Sequence, residues 1–571
     1  MKKLRWQLLV VLLALASIAV LLLGQQPALL PGIAEAPIQP TTGGIYSEGL
    51  VGSYGRLNSL LDFFNPADRS VDALLYSGLI KFDGRGLPQG DLAESWGISQ
   101  DGTVYNFSIR PNAKWHDGKP VTSEDVIFTV ELLRDETFPV PADQRDFWDQ
   151  VEVKLLDEKT LQFRLPEAFS PFMDYLTFGV LPKHLLGDMT SEEIVQASFN
   201  LEPVGSGPYQ FDHLIVEDGE IQGVVLNAFE DTYAQRPFID QIVFRYYPDS
   251  ATALSAYEQG DVLGISQVAR DVLPQVLDMP GLNLYTGRLP GLTLLYLNLD
   301  DPELPFFQDA AIRRALLKGL NRQWMVNNLM DGQAIVADGP IFPGTWAYYE
   351  NIEHIDYDRQ AALAALKEAG YTIPAEGGSV RANEEGARME FELVYPDTGV
   401  FPQLAQAIQE NWGPLGVAVT LKGVSYEELM SDYLEPRTYQ AALVDLNLTD
   451  SPDPDPYPFW HQAQITGGQN YAQWDDRQAS EYLEQARVET DLGEREKRYR
   501  NFQVRFTTEM PALPLYYPVY SYAVDESVQG VRMGPLFSPS DRFSTLRSWY
   551  LIAGRATDTP EAAATETPGQ E

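Results

Sequence analysis

Residues 101–126 read D-G-T-V-Y-N-F-S-I-R-P-N-A-K-W-H-D-G-K-P-V-T-S-E-D-V. Apolar and polar residues alternate from Val104 to Ile109, which predicts a strand, and Asp117-Gly118 predicts a turn. Thr122 is the predicted N-cap of a helix, because Asp125 stands three positions later and an apolar run at helical spacing follows. The stretch therefore predicts a strand, a turn and a capped helix in close succession.

The composition excludes several classes of function. A chain of 571 residues is long enough for two or three domains, and its formal charge of −40 argues against a nucleic-acid or anionic-lipid partner. The absence of cysteine excludes disulfides, thiolate catalysis and iron–sulfur clusters. The five histidines are far apart and form no HExxH pair, so we expect no metal site and no cofactor.

The N-terminus carries the pattern of an export signal. Basic residues precede an unbroken apolar run from Leu8 to Leu23, so residues 1–24 are predicted to be a signal peptide or a membrane anchor. Ala34-Glu35-Ala36 is similar to a cleavage site, but the Pro37 that follows disfavours cleavage, and we therefore favour an anchor. Either outcome places the folded body outside the cytoplasmic membrane. Residues 25–42, rich in proline and alanine, are predicted to be a linker.

Three further motifs accompany residues 101–126. They are L-P-Q-G-D-L-A-E-S-W at 87–96, P-V-G-S-G-P-Y at 203–209 and M-P-A-L-P-L-Y-Y at 510–517. Together these stretches resemble the signature of the extracytoplasmic solute-binding proteins of peptide-type and nickel-type ABC importers, known as family 5. Ser206 stands where that family usually has threonine. The resemblance covers about residues 43–551.

The resemblance implies a two-lobed α/β fold of the periplasmic-binding-protein type, of class II and the large cluster C, with an extra small insert domain. The predicted divisions are a discontinuous base lobe of 43–78, 203–290 and 511–554, an insert at 79–202, a second lobe at 291–510 and a disordered tail at 555–571.

Periodicity predicts several other elements. Helices are expected at Ala310 to Met330 and at Glu481 to Phe506, and strands at Ala442 to Leu448 and Met510 to Tyr522. The last of these resembles the strand that returns to the base lobe in the family.

Residues 444–460 read V-D-L-N-L-T-D-S-P-D-P-D-P-Y-P-F-W, with proline at every second position from 452 to 458. Proline lacks an N–H and holds the preceding residue extended, which predicts a stiff loop after the strand, neither helix nor central strand. Acids and aromatics on such a loop suit a pocket for a cationic, partly apolar ligand. The alternative is a solvated acidic loop whose aromatics pack into the core.

The family resemblance implies that Asp450 pairs with the α-ammonium of a bound peptide. Ser451 and Asn447 replace two aromatic residues of the family pattern, so Tyr457 and Trp460 are the candidates to restore the missing aromatic wall. Strand ends add Ser53 and Tyr395, because open α/β sheets bind ligands there, and Phe307 is a candidate for a side-chain pocket. The predicted ligand-binding set is Asp450, Ser451, Tyr457, Trp460, Tyr395, Ser53 and Phe307.

The function implied is that of a monomeric substrate-binding component that captures short peptides by hinge closure and delivers them to an ABC permease. An oligosaccharide ligand is an alternative, because 10 Trp and 29 Tyr are present, and so is a sensory receptor without import. A glycosidase using two of Asp450, Asp453 and Asp455 is disfavoured, because alternate prolines splay these side chains. The D-x-x-D-x-D spacing invites calcium but lacks the glycine turn and terminal glutamate of a calcium loop. We expect no enzyme activity.

Overall fold

The computed structural model describes residues 40–375, 377–449 and 451–552. The predicted anchor at 1–24, the linker up to residue 39, the tail at 555–571 and Asp450 lie outside these ranges. Among the described residues, no helix combines the length and apolarity needed to cross a bilayer.

The strands follow one another along the whole described chain. In chain order they are β1 (Ile45–Val51), β2 (Ile80–Phe82), β3 (Pro88–Gly90), β4 (Ala93–Ile98), β5 (Val104–Ile109), β6 (Glu152–Leu155), β7 (Thr160–Arg164), β8 (Tyr209–Glu217), β9 (Glu220–Ala228), β10 (Gln241–Tyr247), β11 (Gly264–Ile265), β12 (Leu282–Arg288), β13 (Gly291–Leu297), β14 (Ala334–Val336), β15 (Glu390–Pro396), β16 (Ala418–Val424), β17 (Ala441–Asn447), β18 (Ala512–Asp525), β19 (Val528–Gln529) and β20 (Tyr550–Leu551).

The α-helices are interspersed with these strands. They are α1 (Pro66–Leu75), α2 (Ser123–Arg134), α3 (Ala142–Trp148), α4 (Lys183–Leu186), α5 (Ser191–Val195), α6 (Ser250–Gln259), α7 (Leu273–Leu277), α8 (Ala310–Lys318), α9 (Arg322–Leu329), α10 (Arg359–Glu368), α11 (Phe401–Trp412), α12 (Tyr426–Glu428), α13 (Tyr457–Trp460), α14 (Arg477–Val488) and α15 (Leu492–Glu509). Short 3-10 segments include Ser170–Leu176, Pro305–Gln308 and Pro539–Phe543, and Leu429–Leu434 is π-helical.

A 12-stranded mixed sheet organises the chain. Its order is β16-β15-β17-β13-β18-β11-β1-β10-β9-β8, and β12 and β14 each pair with β18. A separate antiparallel sheet, β4-β5-β7-β6, lies within residues 79–202. Two further antiparallel pairs, β2–β3 and β19–β20, lie outside both sheets.

The long strand β18 joins two sets of strands. The first set is β1 with β8, β9, β10, β11 and β12, and the second set is β13 with β14, β15, β16 and β17. Residues Ala512 to Tyr516 pair with β13, and Tyr516 to Pro518 pair with β14. From Val519 to Asp525 the same strand pairs with β12 instead. The partner of β18 therefore changes at Pro518, a residue that has no N–H to give to a ladder.

Strand β13 is buried on both faces. In β13, Leu292, Leu294 and Tyr296 belong to one hydrophobic cluster, while Leu295 and Leu297 belong to another. Alternate residues of a strand point to opposite faces, so a strand covered by helices on both sides is apolar throughout. A third cluster contains residues of β1 and β10 together with β5 and β7, so the four-stranded sheet shares the core of the first strand set.

The local predictions are partly confirmed. β5 matches the strand predicted at Val104–Ile109, and Asp125 Oδ2 accepts a hydrogen bond from Thr122 N (2.8 Å) at the start of α2. The predictions of single helices at 310–330 and 481–506 are wrong. Asn321 and Asp491 each cap the start of a second helix, accepting hydrogen bonds from the backbone N–H three residues later.

The prediction of an entirely non-helical stretch up to Trp460 is also wrong. Tyr457–Trp460 forms one helical turn, α13, with Pro458 near its start. The first N–H groups of a helix have no partner inside it, so proline costs nothing at such a position.

A buried ion pair ties the C-terminal part of the chain to β1. Arg542 Nη2 lies 2.6 Å from Glu48 Oε1, and both side chains are fully buried. The other carboxylate oxygen accepts hydrogen bonds from the hydroxyls of Tyr46 and Tyr522. Nη1 of Arg542 donates to Ser70 Oγ. Every oxygen of this buried carboxylate is therefore compensated.

Arg542→Met is expected to lower the free energy of unfolding by about 3–5 kcal/mol, because it leaves the Glu48 carboxylate buried without its cation. Guanidinium denaturation followed by tryptophan fluorescence measures the change. Arg477→Met is the control, since that side chain is 86% exposed in a surface pair with Glu481 and its loss should leave the free energy of unfolding nearly unchanged. Equal losses in the two variants would contradict the prediction.

Candidate functional site

The proline-rich stretch leaves the large sheet where β17 ends. Asn447 pairs with Gly291 of β13, and Leu448 N donates to Pro290 O (2.8 Å). The chain then turns away through residues 449–456, which we call the proline loop. Ser451 on this loop is exposed, and Asp450 lies outside the described residues.

Asp453 fixes the proline loop to α15. Its carboxylate lies 2.7 Å from Arg495 Nη2, and both side chains are only 8% exposed. The hydroxyl of Tyr499 donates to the same carboxylate (3.4 Å), and the guanidinium lies 5.0 Å from the ring centroid of Trp346. A buried carboxylate with a cation and a second donor is an internal tie of the fold.

Asp455 makes a second tie, to α14. Arg487 donates to it through Nη2 (2.6 Å to Oδ2) and Nε (3.0 Å to Oδ1). The same guanidinium covers the ring of Tyr457 at 3.9 Å and lies 5.4 Å from the ring of Phe169. Tyr457 also stacks on His461, with ring centroids 4.0 Å apart. The Tyr457 ring is thus part of the packing that holds the loop.

Asp174 reaches the loop from the 3-10 segment Ser170–Leu176. Its Oδ2 accepts a hydrogen bond from Asp453 N (3.0 Å), and among the described residues its buried Oδ1 has no hydrogen-bond partner. Burial, and next the nearby Asp453 carboxylate, raise the pKa of Asp174 well above its ordinary value. The arrangement therefore favours the protonated, neutral form of Asp174.

These ion pairs bear on the glycosidase and calcium-binding alternatives for the acidic loop. Two of its three carboxylates, Asp453 and Asp455, are neutralised by arginines of the same chain. A glycosidase needs two carboxylates free to act on its substrate, and a calcium loop needs them free to bind the ion. The geometry therefore gives Asp453 and Asp455 a positioning role.

Two predicted aromatic contacts lie in the core. Trp460 is 1% exposed and packs on Tyr296 and Phe506, with centroids 5.9 Å and 4.8 Å away. Phe307 has no exposed surface and packs 4.9 Å from Phe391. The structure does not bring either ring to the exposed side of the proline loop.

The two predicted strand-end residues belong to other strands, Ser53 following β1 and Tyr395 lying in β15. Ser53 is exposed just beyond β1, and its carbonyl accepts a hydrogen bond from Asn65 Nδ2 (3.1 Å). Tyr395 is half-buried near the end of β15, whose last pairing with β17 is Val394 to Ala442. Because β17 continues to Asn447 beyond that pair, Tyr395 stops short of the point where the proline loop begins.

The sequence reasoning missed Arg487, Arg495 and Asp174. The arginines stand on helices more than thirty residues beyond their partners, and Asp174 is 279 residues from Asp453. Their one signal is charge complementarity, since two arginines follow an acidic loop in a strongly acidic chain. That signal does not identify which acid each arginine meets.

Solved structures share the fold. The structure of HbpA2 from Haemophilus parasuis matches with a TM-score of 0.77 and 21% identity, covering 90% of this chain and 100% of that chain. The oligopeptide-binding protein AppA from Bacillus subtilis, in complex with a nonapeptide, matches with a TM-score of 0.63, 25% identity and the same coverage. These matches confirm the predicted α/β fold of two-lobed periplasmic binding proteins.

Sequence comparison then defines the family. The model of the bacterial extracellular solute-binding proteins, family 5 middle region, matches residues 88–470. The oligopeptide-binding protein AppA of Bacillus subtilis (strain 168) is 25% identical over 520 residues, 90% of this chain and 92% of AppA. The dipeptide-binding protein of Escherichia coli (strain K12) is 25% identical over 496 residues, 81% of this chain and 87% of that protein. The chain belongs to family 5 of the bacterial extracellular solute-binding proteins, an extracytoplasmic family of binding proteins.

Asp174→Asn is expected to stabilise the protein at high pH. A carboxyl whose folded pKa is raised favours the native state while it is protonated, and that stability is lost as pH rises from about 4 through the raised pKa. The amide cannot ionise, so the gain in melting temperature over the unmodified protein should be largest at pH 8–9 and vanish near pH 4.

The control is Asp143→Asn, which removes one exposed carboxylate in the same way. A gain in the Asp174 variant that is constant from pH 4 to 9 would argue against a protonated Asp174.

Proposed function

We propose that this protein is the substrate-binding component of an ABC importer and that it captures short peptides between its two lobes. The relatives named for oligopeptide and dipeptide binding support this ligand class. The observation that carries the proposal is the rigid mounting of the proline loop at the end of β17, with Asp453 and Asp455 already neutralised. The resemblance to family 5 gives the role of ammonium partner to Asp450, and the arginine partners of Asp453 and Asp455 leave that role open to it.

The proposed lobes meet at β18 and at the β12–β13 connection. The base lobe consists of 43–78, 203–290 and 511–554, the insert of 79–202 and the second lobe of 291–510. Closure would bend the chain at these two places, where β18 changes partners and residues 289–290 leave β12. Binding energy then favours the closed form that the permease subunits recognise.

Within this site we propose Asp450 as the anchor of the peptide ammonium, because a charge removed from water needs a paired counter-charge. Ser451 and Ser53, both exposed, are proposed contacts from the two lobes. We propose no catalytic step, and the protein acts as a monomer that holds its ligand by closure.

Asp450→Asn is expected to weaken peptide binding by about 30-fold or more, because it leaves a buried ammonium without its carboxylate. Isothermal titration with a mixed pool of di- to pentapeptides measures the loss, after unfolding and refolding to remove any ligand carried from the cells. N-acetylated peptides should fail to bind the unmodified protein for the same reason.

The exposed Asp475→Asn is the matched control and should bind peptides normally. Heat from oligosaccharides but from no peptide would refute the peptide ligand while leaving the fold and family intact.

We further propose that residues 8–23 remain attached and tether the protein to the cytoplasmic membrane. The expected result is recovery of the full chain in the membrane fraction, with residues 1–24 detected by mass spectrometry. A soluble chain that begins near residue 37 would contradict the tether and show cleavage.

A further inference from the structure

The insert contacts the second lobe at Asp174. The 3-10 segment Ser170–Leu176, which carries this residue, is anchored in the insert, because Phe172 packs on Tyr105 of β5 with ring centroids 4.7 Å apart. Asp174 Oδ2 accepts the hydrogen bond from Asp453 N (3.0 Å). Asp174 therefore belongs to the insert, while the N–H that donates to it belongs to the second lobe.

Single hydrogen bonds and side-chain packing join the insert to the second lobe. Among the described strands, none within 79–202 pairs with one within 291–510. Ser170 Oγ donates to Glu489 O, and Trp346 N donates to Arg85 O (2.9 Å). The insert shares the core of the first strand set, so we expect it to move with the base lobe. Contacts of this kind separate without breaking a sheet when the second lobe swings away.

The contact brings together more carboxylates than arginines. Asp453 and Asp455 of the proline loop are paired with Arg495 and Arg487, and the insert adds Asp174 as a third carboxyl group. Within the described ranges Asp174 forms no ion pair, and its buried Oδ1 lacks a hydrogen-bond partner. An ionised Asp174 therefore places an uncompensated negative charge in a buried contact, which is costly.

The groups around Asp174 act on its proton in opposite directions. Burial and then Asp453 raise the pKa of Asp174, and the N–H of Asp453 and the guanidinium of Arg495 oppose them with smaller effects. Burial also raises the pKa of the nearby tyrosines, which are therefore neutral at neutral pH. The surrounding charged and titratable groups are Asp453 and Asp455 on the proline loop, Arg487 on α14, Arg495 and Tyr499 on α15, Tyr175 on the same 3-10 segment, and Asp143 on α3 beyond Tyr175.

We propose that closure of the second lobe onto the insert takes up a proton at Asp174, so that ligand binding is linked to pH. This rests on the proposed capture of ligand by closure and adds a regulation to it. In the open form the Asp174 carboxyl faces water and ionises as an ordinary aspartate does, and in the closed form it keeps its proton. Ligand and proton both favour the closed form, and each therefore strengthens the binding of the other.

Acid should favour closure, because the closed form binds this proton more tightly than the open form. The affinity for ligand is expected to fall as pH rises from about 4, the pKa of an aspartate in water, through the raised pKa of the closed form, by up to about tenfold for each pH unit. Above that raised pKa both forms are ionised at Asp174, and this part of the pH dependence ends.

The competing role for Asp174 is that of a permanent tie between the insert and the second lobe. If the two stay in contact whether or not ligand is bound, Asp174 keeps its proton throughout, and ligand binding moves no proton there. The stability of the protein depends on Asp174 in both cases, so a melting temperature does not separate the two roles. The number of protons taken up for each ligand bound does separate them.

The experiment is isothermal titration of the refolded full chain with the mixed pool of di- to pentapeptides at pH 6, where the peptide ammonium stays charged. The binding enthalpy is measured in phosphate, MES and Bis-Tris buffers, whose ionisation enthalpies differ. Its slope against the ionisation enthalpy of the buffer gives the number of protons taken up. The unmodified protein is expected to take up as much as about one proton more than Asp174→Asn, whose amide cannot ionise. From pH 5 to 7 its affinity should also fall more steeply than that of the variant.

Ser170→Ala is the matched control, because it removes another contact between the insert and the second lobe but no carboxyl group. It should weaken peptide binding and keep the proton uptake. An unmodified protein whose binding enthalpy is the same in all three buffers, or an Asp174→Asn variant with an unchanged slope, overturns the proton-linked closure and leaves peptide binding intact. No binding of any peptide by the unmodified protein refutes the peptide function itself, and with it the linkage to Asp174.

Discussion

The large sheet of this protein depends on one strand, β18, which pairs with a different partner along each of its two halves. β18 hydrogen-bonds with β13 over its first residues and with β12 over its last, so neither strand set can be complete without it. The change of partner falls at Pro518, whose carbonyl accepts from Leu289 N while its own nitrogen donates nothing. Bending a strand at a position where its hydrogen bonds are interrupted costs less free energy than bending one that is hydrogen-bonded along its whole length. The hydrogen-bonded ladder of β18 is therefore interrupted at Pro518, next to the Leu289–Pro290 connection.

The proline loop follows β17 of the second strand set and is fixed by contacts of its own. Its prolines limit the conformations that the unfolded loop can adopt, and Arg487 and Arg495 then hold its carboxylates in place. Asp174 adds a contact from the other side, through the backbone of Asp453. The loop is therefore held in one conformation by contacts within the chain.

The sequence predicts this architecture where the deciding information is local. The alternation in β5, the cap at Thr122 and the family motifs all depend on neighbours within a few residues, and the structure confirms them. The predicted single helix at 310–330 failed because helical spacing of apolar residues continues across Gly319 and Asn321, although the backbone does not. The partners of Asp453 and Asp455 were not predictable, because they are set by how α14 and α15 pack and not by spacing along the chain.

Buried charges are compensated within the chain at β1 and around the proline loop. Glu48 and Arg542 neutralise each other, as do Asp453 with Arg495 and Asp455 with Arg487, while Asp174 is driven towards its neutral form. A charge taken out of water without a partner is costly, so each of these pairs removes a penalty that either partner alone would carry. Two of the three pairs hold the proline loop, and its position therefore depends on charges that the chain itself supplies.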